Sequence, residues 1–373
     1  MVEILDTTLR EGEQSPNVTF SREEKIKIAQ MLDEFSVNII EVGHPVVSDD
    51  IHKSVKEIAN QNLNAEIMAH CRAMKKDIDS AIECDVDWVG IFLCVSKKRL
   101  SNQFKLDKTK AIDLITDAIL YAKDHGLKVR YTPEDGTRTE IDRLIEVSRE
   151  AIEAKVDRIS IADTVGAMTP SQMYNLVKKM KSALQIKLNV HCHNDLGLAT
   201  ANALAAYEAG ITTIDVTING IGERVGITSI SEICPILHTI YNVENKWKLT
   251  KLPEISKKVS DFCGTEIYHN TPIIGKNAFS HKAGLHVSAV IKNPEFYEFF
   301  SPNVIGKNRD FILDKMAGSN TLKQKVTSMG LEIDDKDSKK LMRYVKSKEK
   351  GLTSENEIIQ ILKNSSPIPN SCL

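Results

Sequence analysis

Short apolar runs rich in β-branched residues alternate with amphipathic stretches from the first residues to about residue 241. Each run has the length of one strand, and each is followed by a segment with apolar residues at positions i, i+3 and i+4, as in an amphipathic helix. The predicted strands span residues 2–5, 39–42, 65–69, 88–93, 128–132, 158–162, 187–192 and 213–217. The pattern therefore predicts eight consecutive strand–helix units.

Signals for helix ends support this division. Ser21 is followed three residues later by Glu24, which is the pattern of a capping box. Thr169 precedes a proline, so it offers an N-cap with proline at the first helical position. Gly210 falls just after a predicted helix, where a left-handed C-cap belongs.

Eight units in about 240 residues favour a closed barrel over an open doubly wound sheet, whose glycine-rich nucleotide fingerprint is missing. After residue 245 the rhythm stops, and the sequence becomes helical and polar. We therefore predict an α/β protein with a (β/α)8 TIM-barrel catalytic domain over residues 1–245. A mainly helical C-terminal extension follows over residues 246–373 and ends in a frayed tail over residues 364–373.

Composition narrows the range of functions. The chain has 49 Lys and Arg against 51 Asp and Glu, a net charge of −2, so it lacks the basic excess of a nucleic-acid-binding domain. Its apolar runs are far shorter than the roughly 20 residues that cross a bilayer, so we expect no membrane partner. Seven cysteines with no CxxC pair, and a start without a signal-peptide pattern, predict free thiols and a cytoplasmic location.

Polar residues are dense at the predicted C-terminal ends of the strands, where barrels of this type carry their chemistry. The candidates there are Arg10, Glu11, Gln14, His70, Arg130, Thr132, Thr164, His191 and His193. His191 and His193 are two residues apart on one strand, so both side chains point to the same face. Together with Glu11 they suit a divalent ion such as Zn²⁺, Mn²⁺ or Mg²⁺. The alternative is a pair of polar rim residues satisfied by neighbours.

For each of the remaining candidate residues and segments, two interpretations are open. Arg130 faces the barrel interior and needs an anion, either a protein carboxylate such as Glu134 or a ligand. Arg10 is either part of a rim salt bridge with its neighbour or a functional group, and a lone histidine such as His70 is ambiguous. The glycines within 220–222 form either a tight turn or an anion cradle. Residues 279–286, which include two histidines and a lysine, are equally consistent with a functional segment and with a surface turn.

Three segments together resemble one family. They are Asp-x-Thr-Leu-Arg-Glu-Gly-x-Gln over residues 6–14, His-x-His-Asn-Asp-x-Gly over residues 191–197, and Asn-Gly-Ile-Gly-Glu-Arg over residues 219–224. These motifs, in this order, resemble the isopropylmalate/homocitrate synthase family of the DRE-TIM metallolyase superfamily. The resemblance extends to about residue 330.

Details within the family favour its homocitrate synthase branch. Arg130 stands where isopropylmalate synthases have a glutamate, and a cation there suits the distal carboxylate of 2-oxoglutarate. Residues 281–286, His-Lys-Ala-Gly-Leu-His, resemble that branch's form of a family motif. Ile227 stands where isopropylmalate synthases place a metal-binding asparagine.

The resemblance implies a reaction and a role for each candidate residue. It implies condensation of acetyl-CoA with 2-oxoglutarate, followed by thioester hydrolysis, at the entrance to lysine biosynthesis. By resemblance Glu11, His191 and His193 bind the divalent metal, His286 is the catalytic base, and Arg10 is a catalytic electrophile. The residues expected to bind the substrate are Arg10, Gln14, His70, Arg130, Thr132 and Thr164. A homodimer is implied, in which His286 acts in the partner's active site.

Three rival functions remain at this point. The nearest is a synthase of the same mechanism that uses another 2-oxo acid, as isopropylmalate and citramalate synthases do. A second is a metal-dependent aldolase or lyase of the same superfamily that acts without acyl-CoA. A non-catalytic barrel is the third, although such a protein would have no need of Glu11, His191 and His193 together.

Overall fold

A computed structural model describes residues 2–363 of the chain. The structure divides into two compact units, Met1–Ile267 and Tyr268–Leu373. The predicted tail over residues 364–373 lies outside the described residues.

The first unit is a closed barrel of eight parallel strands, which confirms the predicted (β/α)8 fold. Consecutive strands pair with one another, and the first strand also pairs with the eighth, which closes the sheet. Because the strands are parallel, all of their C-terminal ends lie at one rim. The strands are β1 (Glu3–Asp6), β2 (Ile39–Glu41), β3 (Glu66–Arg72), β4 (Trp88–Cys94), β5 (Lys128–Glu134), β6 (Arg158–Asp163), β7 (Lys187–Cys192) and β8 (Thr213–Val216).

Helices follow the strands and cover the outside of the barrel. They are α1 (Arg22–Phe35), α2 (Asp49–Ala59), α3 (Lys75–Ile82), α4 (Lys97–Arg99), α5 (Lys108–Asp124), α6 (Ile141–Glu153), α7 (Pro170–Ala183), α8 (Ala199–Ala209), α9 (Ile230–Thr239) and α10 (Leu252–Phe262). The predicted capping box of Ser21 and Glu24 opens α1, and Thr169 with Gln172 forms another at α7. Gly210 ends α8 at a φ of 104°, in the left-handed region as predicted.

The two units divide after Ile267, whereas the sequence pattern predicts a division after residue 245. The difference is due to α10, which belongs to the first unit. Its apolar side chains Leu252, Ile255 and Val259 are buried, because the helix is amphipathic and packs within this unit. The loss of the strand–helix rhythm in the sequence therefore precedes the end of the barrel unit.

The second unit is mainly helical, as predicted for the C-terminal extension. It contains a two-stranded parallel sheet, β9 (Ser280–His281) and β10 (Asp310–Phe311). Its helices are α11 (Gly284–Lys292), α12 (Ser319–Ser328), α13 (Asp335–Ser347) and α14 (Glu355–Lys363). Leu322, Val326, Leu341, Val345 and Ile358 form its buried core. Residues 279–286 are thus the short strand β9 and the start of α11, rather than a plain surface turn.

Within residues 2–363, none of the helices is long and apolar enough to cross a membrane. Six cysteines in this part of the chain are free, as the sequence predicts. All of them except Cys263 are buried.

Candidate active site and metal centre

The C-terminal rim of the barrel opens into a cavity of about 310 Å³. Every barrel residue that the sequence analysis selected lines this cavity, namely Arg10, Glu11, Gln14, His70, Arg130, Thr132, Thr164, His191 and His193. The closed sheet brings them together from β1, β3, β5, β6 and β7. His44, Phe92 and Asp215 also line the cavity and were not selected from the sequence.

Glu11, His191 and His193 converge on one point. One ligand atom from each lies within 4.8 Å of the others, and all three residues are buried. The two Nε2 atoms are 3.3 Å apart, and each lies 3.9 Å from an oxygen of Glu11. Two imidazole nitrogens and a carboxylate form a donor set that suits a divalent ion.

Neighbouring groups hold these side chains in place. Oδ2 of Asp215 lies 3.0 Å from Nδ1 of His191, which leaves Nε2 directed into the cavity. The backbone amide of Glu223 donates to Oε1 of Glu11 at 3.0 Å, and Arg10 contacts the other oxygen. Partners of this kind orient metal ligands in proteins.

The electrostatics of the group also fit a metal ion. Burial alone would raise the pKa of Glu11, but Arg10 and the two histidines lower it to about 2. Burial and the neighbouring His191 lower the pKa of His193 to about 3. At neutral pH the site therefore offers a carboxylate and a neutral imidazole, the protonation states that bind a cation.

A carboxylate that the sequence analysis did not select, Glu41 at the end of β2, organises the other side of the cavity. It is fully buried and accepts hydrogen bonds from Thr7 Oγ1 at 2.6 Å, Arg10 Nε at 2.7 Å and Arg130 Nη2 at 2.7 Å. Nδ1 of His70 lies 3.0 Å from Oε1. Burial disfavours the charged form, but Arg10 and Arg130 outweigh it and hold the pKa of Glu41 well below its ordinary value.

Arg130 forms ion pairs with protein carboxylates, and these are not the one suggested from the sequence. Its guanidinium donates to Glu41 at 2.7 Å and to Asp215 at 3.2 Å. Glu134 lies at the end of β5 and pairs instead with Arg99 at 2.6 Å. Arg130 still lines the cavity, and its Nε has no hydrogen-bond partner among the described residues.

His70 is also held within this network. Its ring stacks on Phe92 with the centroids 4.4 Å apart and the planes 10° from parallel. Burial and the nearby charge of Arg10 lower the pKa of His70 to about 4. The imidazole is therefore neutral at physiological pH in the absence of a bound anion.

Thr132 carries a polar atom that the protein leaves free. Its Oγ1 is buried beside the cavity and has no hydrogen-bond partner within the described chain. The hydroxyl of Thr164, in contrast, accepts a hydrogen bond from the amide of Asp135 at 2.9 Å. Gln14 lies exposed at the cavity mouth. Of these three, Thr132 has the most obvious capacity for a ligand.

The glycine-rich segment after β8 forms a turn and not an anion cradle. The amide of Gly222 donates to Ser15 Oγ at 2.7 Å, and the next amide is used by Glu11. Gly226 has a φ of 84°, and a Cβ there would lie 1.7 Å from the carbonyl oxygen of Gly220, so the turn requires glycine. Ile227 follows, buried, and its backbone bridges that of His193.

His286 belongs to the second unit. It lies exposed in the first turn of α11, and its ring stacks on Tyr297 with the centroids 4.1 Å apart. The nearby His281 contacts Glu298, with Nε2 and Oε1 2.9 Å apart. The assignment of His286 as the catalytic base stays a prediction from the family resemblance.

Two family models match the chain. The model described as HMGL-like matches residues 1–259, which is the barrel. The chain belongs to the HMGL-like family. A second model, described as homocitrate synthase post-HMGL domain-like, matches residues 273–351 of this HMGL-like protein. The family membership predicted from the three motifs is confirmed, and the chain is an enzyme of this family.

Individual relatives agree with this membership. A protein from Pyrococcus horikoshii named homocitrate synthase is 49% identical over 358 residues, which cover 96% of this chain and 98% of the relative. A probable 2-isopropylmalate synthase from Methanopyrus kandleri is 42% identical over 92% of this chain and 69% of the relative. The crystal structure of an HMG-CoA lyase from Bacillus subtilis superposes with a TM-score of 0.65 at 20% identity, covering 73% of this chain and 96% of the lyase. That structure shows a shared fold.

Proposed function

We propose that this HMGL-like enzyme is a homocitrate synthase, which condenses acetyl-CoA with 2-oxoglutarate and hydrolyses the thioester to release CoA. One observation carries the proposal. The same cavity holds the Glu11, His191 and His193 group together with Arg130 and the free hydroxyl of Thr132. A 2-oxo diacid needs a metal site for its 2-oxo acid end and polar groups such as Arg130 and Thr132 for its distal carboxylate. The name of the relative that is 49% identical supports this choice.

The reaction joins the methyl carbon of acetyl-CoA to the ketone carbon of 2-oxoglutarate. His286 removes a proton from the methyl group, and the resulting enolate attacks the ketone, whose oxygen becomes an alkoxide. Glu11, His191 and His193 would hold a divalent ion (Zn²⁺, Mn²⁺ or Mg²⁺), which would supply positive charge to the reacting ketone. The alkoxide takes up a proton and becomes the hydroxyl of the product, which balances the proton removed by His286; water then cleaves the thioester, and CoA leaves as the thiol. The products are homocitrate and CoA, which would serve lysine biosynthesis.

Arg10 provides the second positive charge at the ketone. Its guanidinium is held between Glu11 and Glu41, which fixes its orientation before substrate binds. A charge that is already oriented stabilises a developing alkoxide without the cost of reorganisation. These two carboxylates also raise the pKa of Arg10 although burial opposes this, so it stays protonated throughout the reaction.

The distal carboxylate of 2-oxoglutarate is assigned to Arg130, Thr132 and His70, and the proximal one to Thr164. Arg130 keeps an unpartnered Nε among the described residues, and Thr132 keeps an unpartnered hydroxyl. Gln14 lines the pocket mouth. An anion bound beside His70 would favour its protonated form and so add a donor to the distal end.

Replacing Thr132 with valine is expected to raise the KM for 2-oxoglutarate roughly 10- to 100-fold, the value of one hydrogen bond to a charged group. The KM for acetyl-CoA should stay unchanged. Valine has the same shape and removes a hydroxyl without a protein partner, so the free energy of unfolding should not fall. Steady-state kinetics with each substrate varied in turn, and denaturant unfolding, measure these quantities.

A matched control is Thr321→Val. Thr321 is also buried, and its hydroxyl has no hydrogen-bond partner among the residues that the structure describes, but it lies on α12 and does not line the cavity. This variant should keep both KM values. Equal effects of Thr132→Val on the two substrates would contradict the assignment of the distal carboxylate.

We further propose that the enzyme acts as a homodimer, with His286 of one subunit serving the active site of the other. The exposure of His286 on the second unit and the family resemblance support this assignment. Mixing inactive His286→Ala subunits with inactive His191→Ala subunits should restore part of the activity, because a mixed dimer holds one intact site. No recovery after verified subunit exchange would contradict action in trans.

Product analysis tests the proposed reaction. Incubation with acetyl-CoA and isotopically labelled 2-oxoglutarate should yield labelled homocitrate, identified by mass spectrometry, together with one CoA per molecule. The same product chemistry from 2-oxoisovalerate alone would assign the enzyme to the isopropylmalate type instead. Cleavage of a hydroxyacyl-CoA with no condensation would support a lyase.

A further inference from the structure

A second cavity, of about 460 Å³, opens where the segments after β4 and β5 meet. Five cations and two carboxylates line it, so the lining has a net charge of 5 − 2 = +3, in a chain whose net charge is −2. The charged lining residues are Lys97, Lys98, Arg99, Arg138, Arg143, Asp135 and Glu140. The function described above makes no use of this concentration of positive charge.

Part of that charge is not neutralised within the protein. Arg138 pairs with Asp135 at 2.6 Å and Arg99 pairs with Glu134 at 2.6 Å, so two of the five cations are neutralised. Arg143 donates only to the backbone oxygen of Val95, at 3.2 Å. The exposed side chains of Lys97 and Lys98 form no ion pair within the part of the chain that the structure describes. The cavity therefore offers cations to an anionic ligand.

This cavity adjoins the active-site cavity. Arg99 lines the basic cavity and forms an ion pair at 2.6 Å with Glu134, which lines the active site. In the same way, the amide of Asp135 donates to the hydroxyl of Thr164, which lines the active site, at 2.9 Å. The end of β5 and the residue after it thus contribute to both cavities, Glu134 to the active site and Asp135 to the basic cavity.

We propose that the basic cavity binds the phosphate groups of the nucleotide part of acetyl-CoA. The inference rests on the proposed function, since it needs acetyl-CoA as the second substrate. Acetyl-CoA carries its reactive acetyl group at one end of a long pantetheine arm and a phosphorylated adenosine at the other. The thioester lies in the active-site cavity, the arm crosses the end of β5, and Lys97, Lys98 and Arg143 contact the phosphates. Phosphate groups are recognised by lysine and arginine in this way.

Direct binding tests the site without turnover. The probe is adenosine 3′,5′-bisphosphate, titrated calorimetrically into the wild-type enzyme and into the double variant Lys97→Ser/Lys98→Ser. Loss of two exposed phosphate contacts should weaken binding about tenfold. The matched control, Lys178→Ser/Lys179→Ser, removes two exposed adjacent lysines on α7 and should bind like the wild type.

Steady-state kinetics provide a second test of the site. The Lys97→Ser/Lys98→Ser variant should show a KM for acetyl-CoA raised about tenfold and an unchanged KM for 2-oxoglutarate. With S-acetylpantetheine, which lacks the nucleotide, the variant and the wild type should have equal kcat/KM. This equality separates lost phosphate contacts from a general defect.

The outcomes distinguish this site from the proposed function. Unchanged binding of the bisphosphate in the double variant would overturn the phosphate site whether or not the enzyme makes homocitrate. Absence of CoA release by the wild type would overturn the proposed function. Binding of the bisphosphate that depends on the two lysines supports the site in either case.

Discussion

Glutamine in place of Glu41 is expected to destabilise the protein by about 3–5 kcal/mol. Glu41 is fully buried and holds two guanidinium groups, Arg10 and Arg130, at 2.7 Å each. The amide has the same shape but no charge, so Arg10 is left with Glu11, and Arg130 with Asp215, as its carboxylate partner in the barrel interior. Removal of one partner from a buried ion pair is costly for this reason.

Urea unfolding at neutral pH measures the effect. The control is Glu57→Gln, which removes the charge of a half-exposed glutamate that pairs with Arg22 on the surface at 3.5 Å. Surface pairs contribute about 0–1 kcal/mol, so this variant should be nearly as stable as the wild type. A loss below about 1 kcal/mol in Glu41→Gln would contradict the view that Glu41 is the centre of the cation network.

Alanine in place of His191 is expected to lower kcat by roughly a thousandfold or more, equivalent to about 4 kcal/mol of transition-state stabilisation. His191 contributes one of the three atoms that converge within 4.8 Å, and Asp215 directs its Nε2 into the cavity. Without this imidazole, two ligands remain, and a divalent ion is held weakly. In the proposed reaction, the positive charge at the ketone would then be lost together with the metal.

Metal content and turnover should fall together in this variant. Manganese binding, followed by electron paramagnetic resonance, reports the metal without any need for activity. His125→Ala is the control, because within residues 2–363 His125 contacts the carbonyl oxygen and the ring of Tyr121 and does not line the cavity. A His191→Ala enzyme that binds manganese as the wild type does would exclude His191 as a ligand.

Much of the barrel is predictable because its signals are local. The predicted strand over residues 187–192 coincides with β7, and the others differ from the observed strands by at most a few residues at an end. Capping residues such as Ser21 and Thr169 act within one helical turn, so the sequence contains the whole motif. The placement of polar residues at one rim then follows from the parallel barrel.

The partners of Arg130 could not be predicted, because they depend on side chains meeting across the barrel. Glu41 and Asp215 are 89 and 85 residues away in sequence. A signal was nevertheless present: each is the one charged residue of a short strand, and a buried carboxylate needs a cation. The suggested partner, Glu134, is closer in sequence but lies at the end of β5 and pairs with Arg99.

The end of the barrel unit was placed too early for a related reason. The strand–helix rhythm stops near residue 241, but α10 still packs in the first unit through Leu252, Ile255 and Val259. An amphipathic helix shows that it buries one face, but its sequence does not identify the unit against which it packs.

The most direct test of the account is the rate of CoA release from acetyl-CoA with 2-oxoglutarate, 2-oxoisovalerate, pyruvate, oxaloacetate and 2-oxoadipate, each with and without a chelator. Release that requires 2-oxoglutarate, stops on chelation and returns when a divalent ion is added back is the predicted result. Preference for a 2-oxo acid without a distal carboxylate would contradict the roles of Arg130 and Thr132. Release that persists after complete removal of metal would contradict the role of Glu11, His191 and His193.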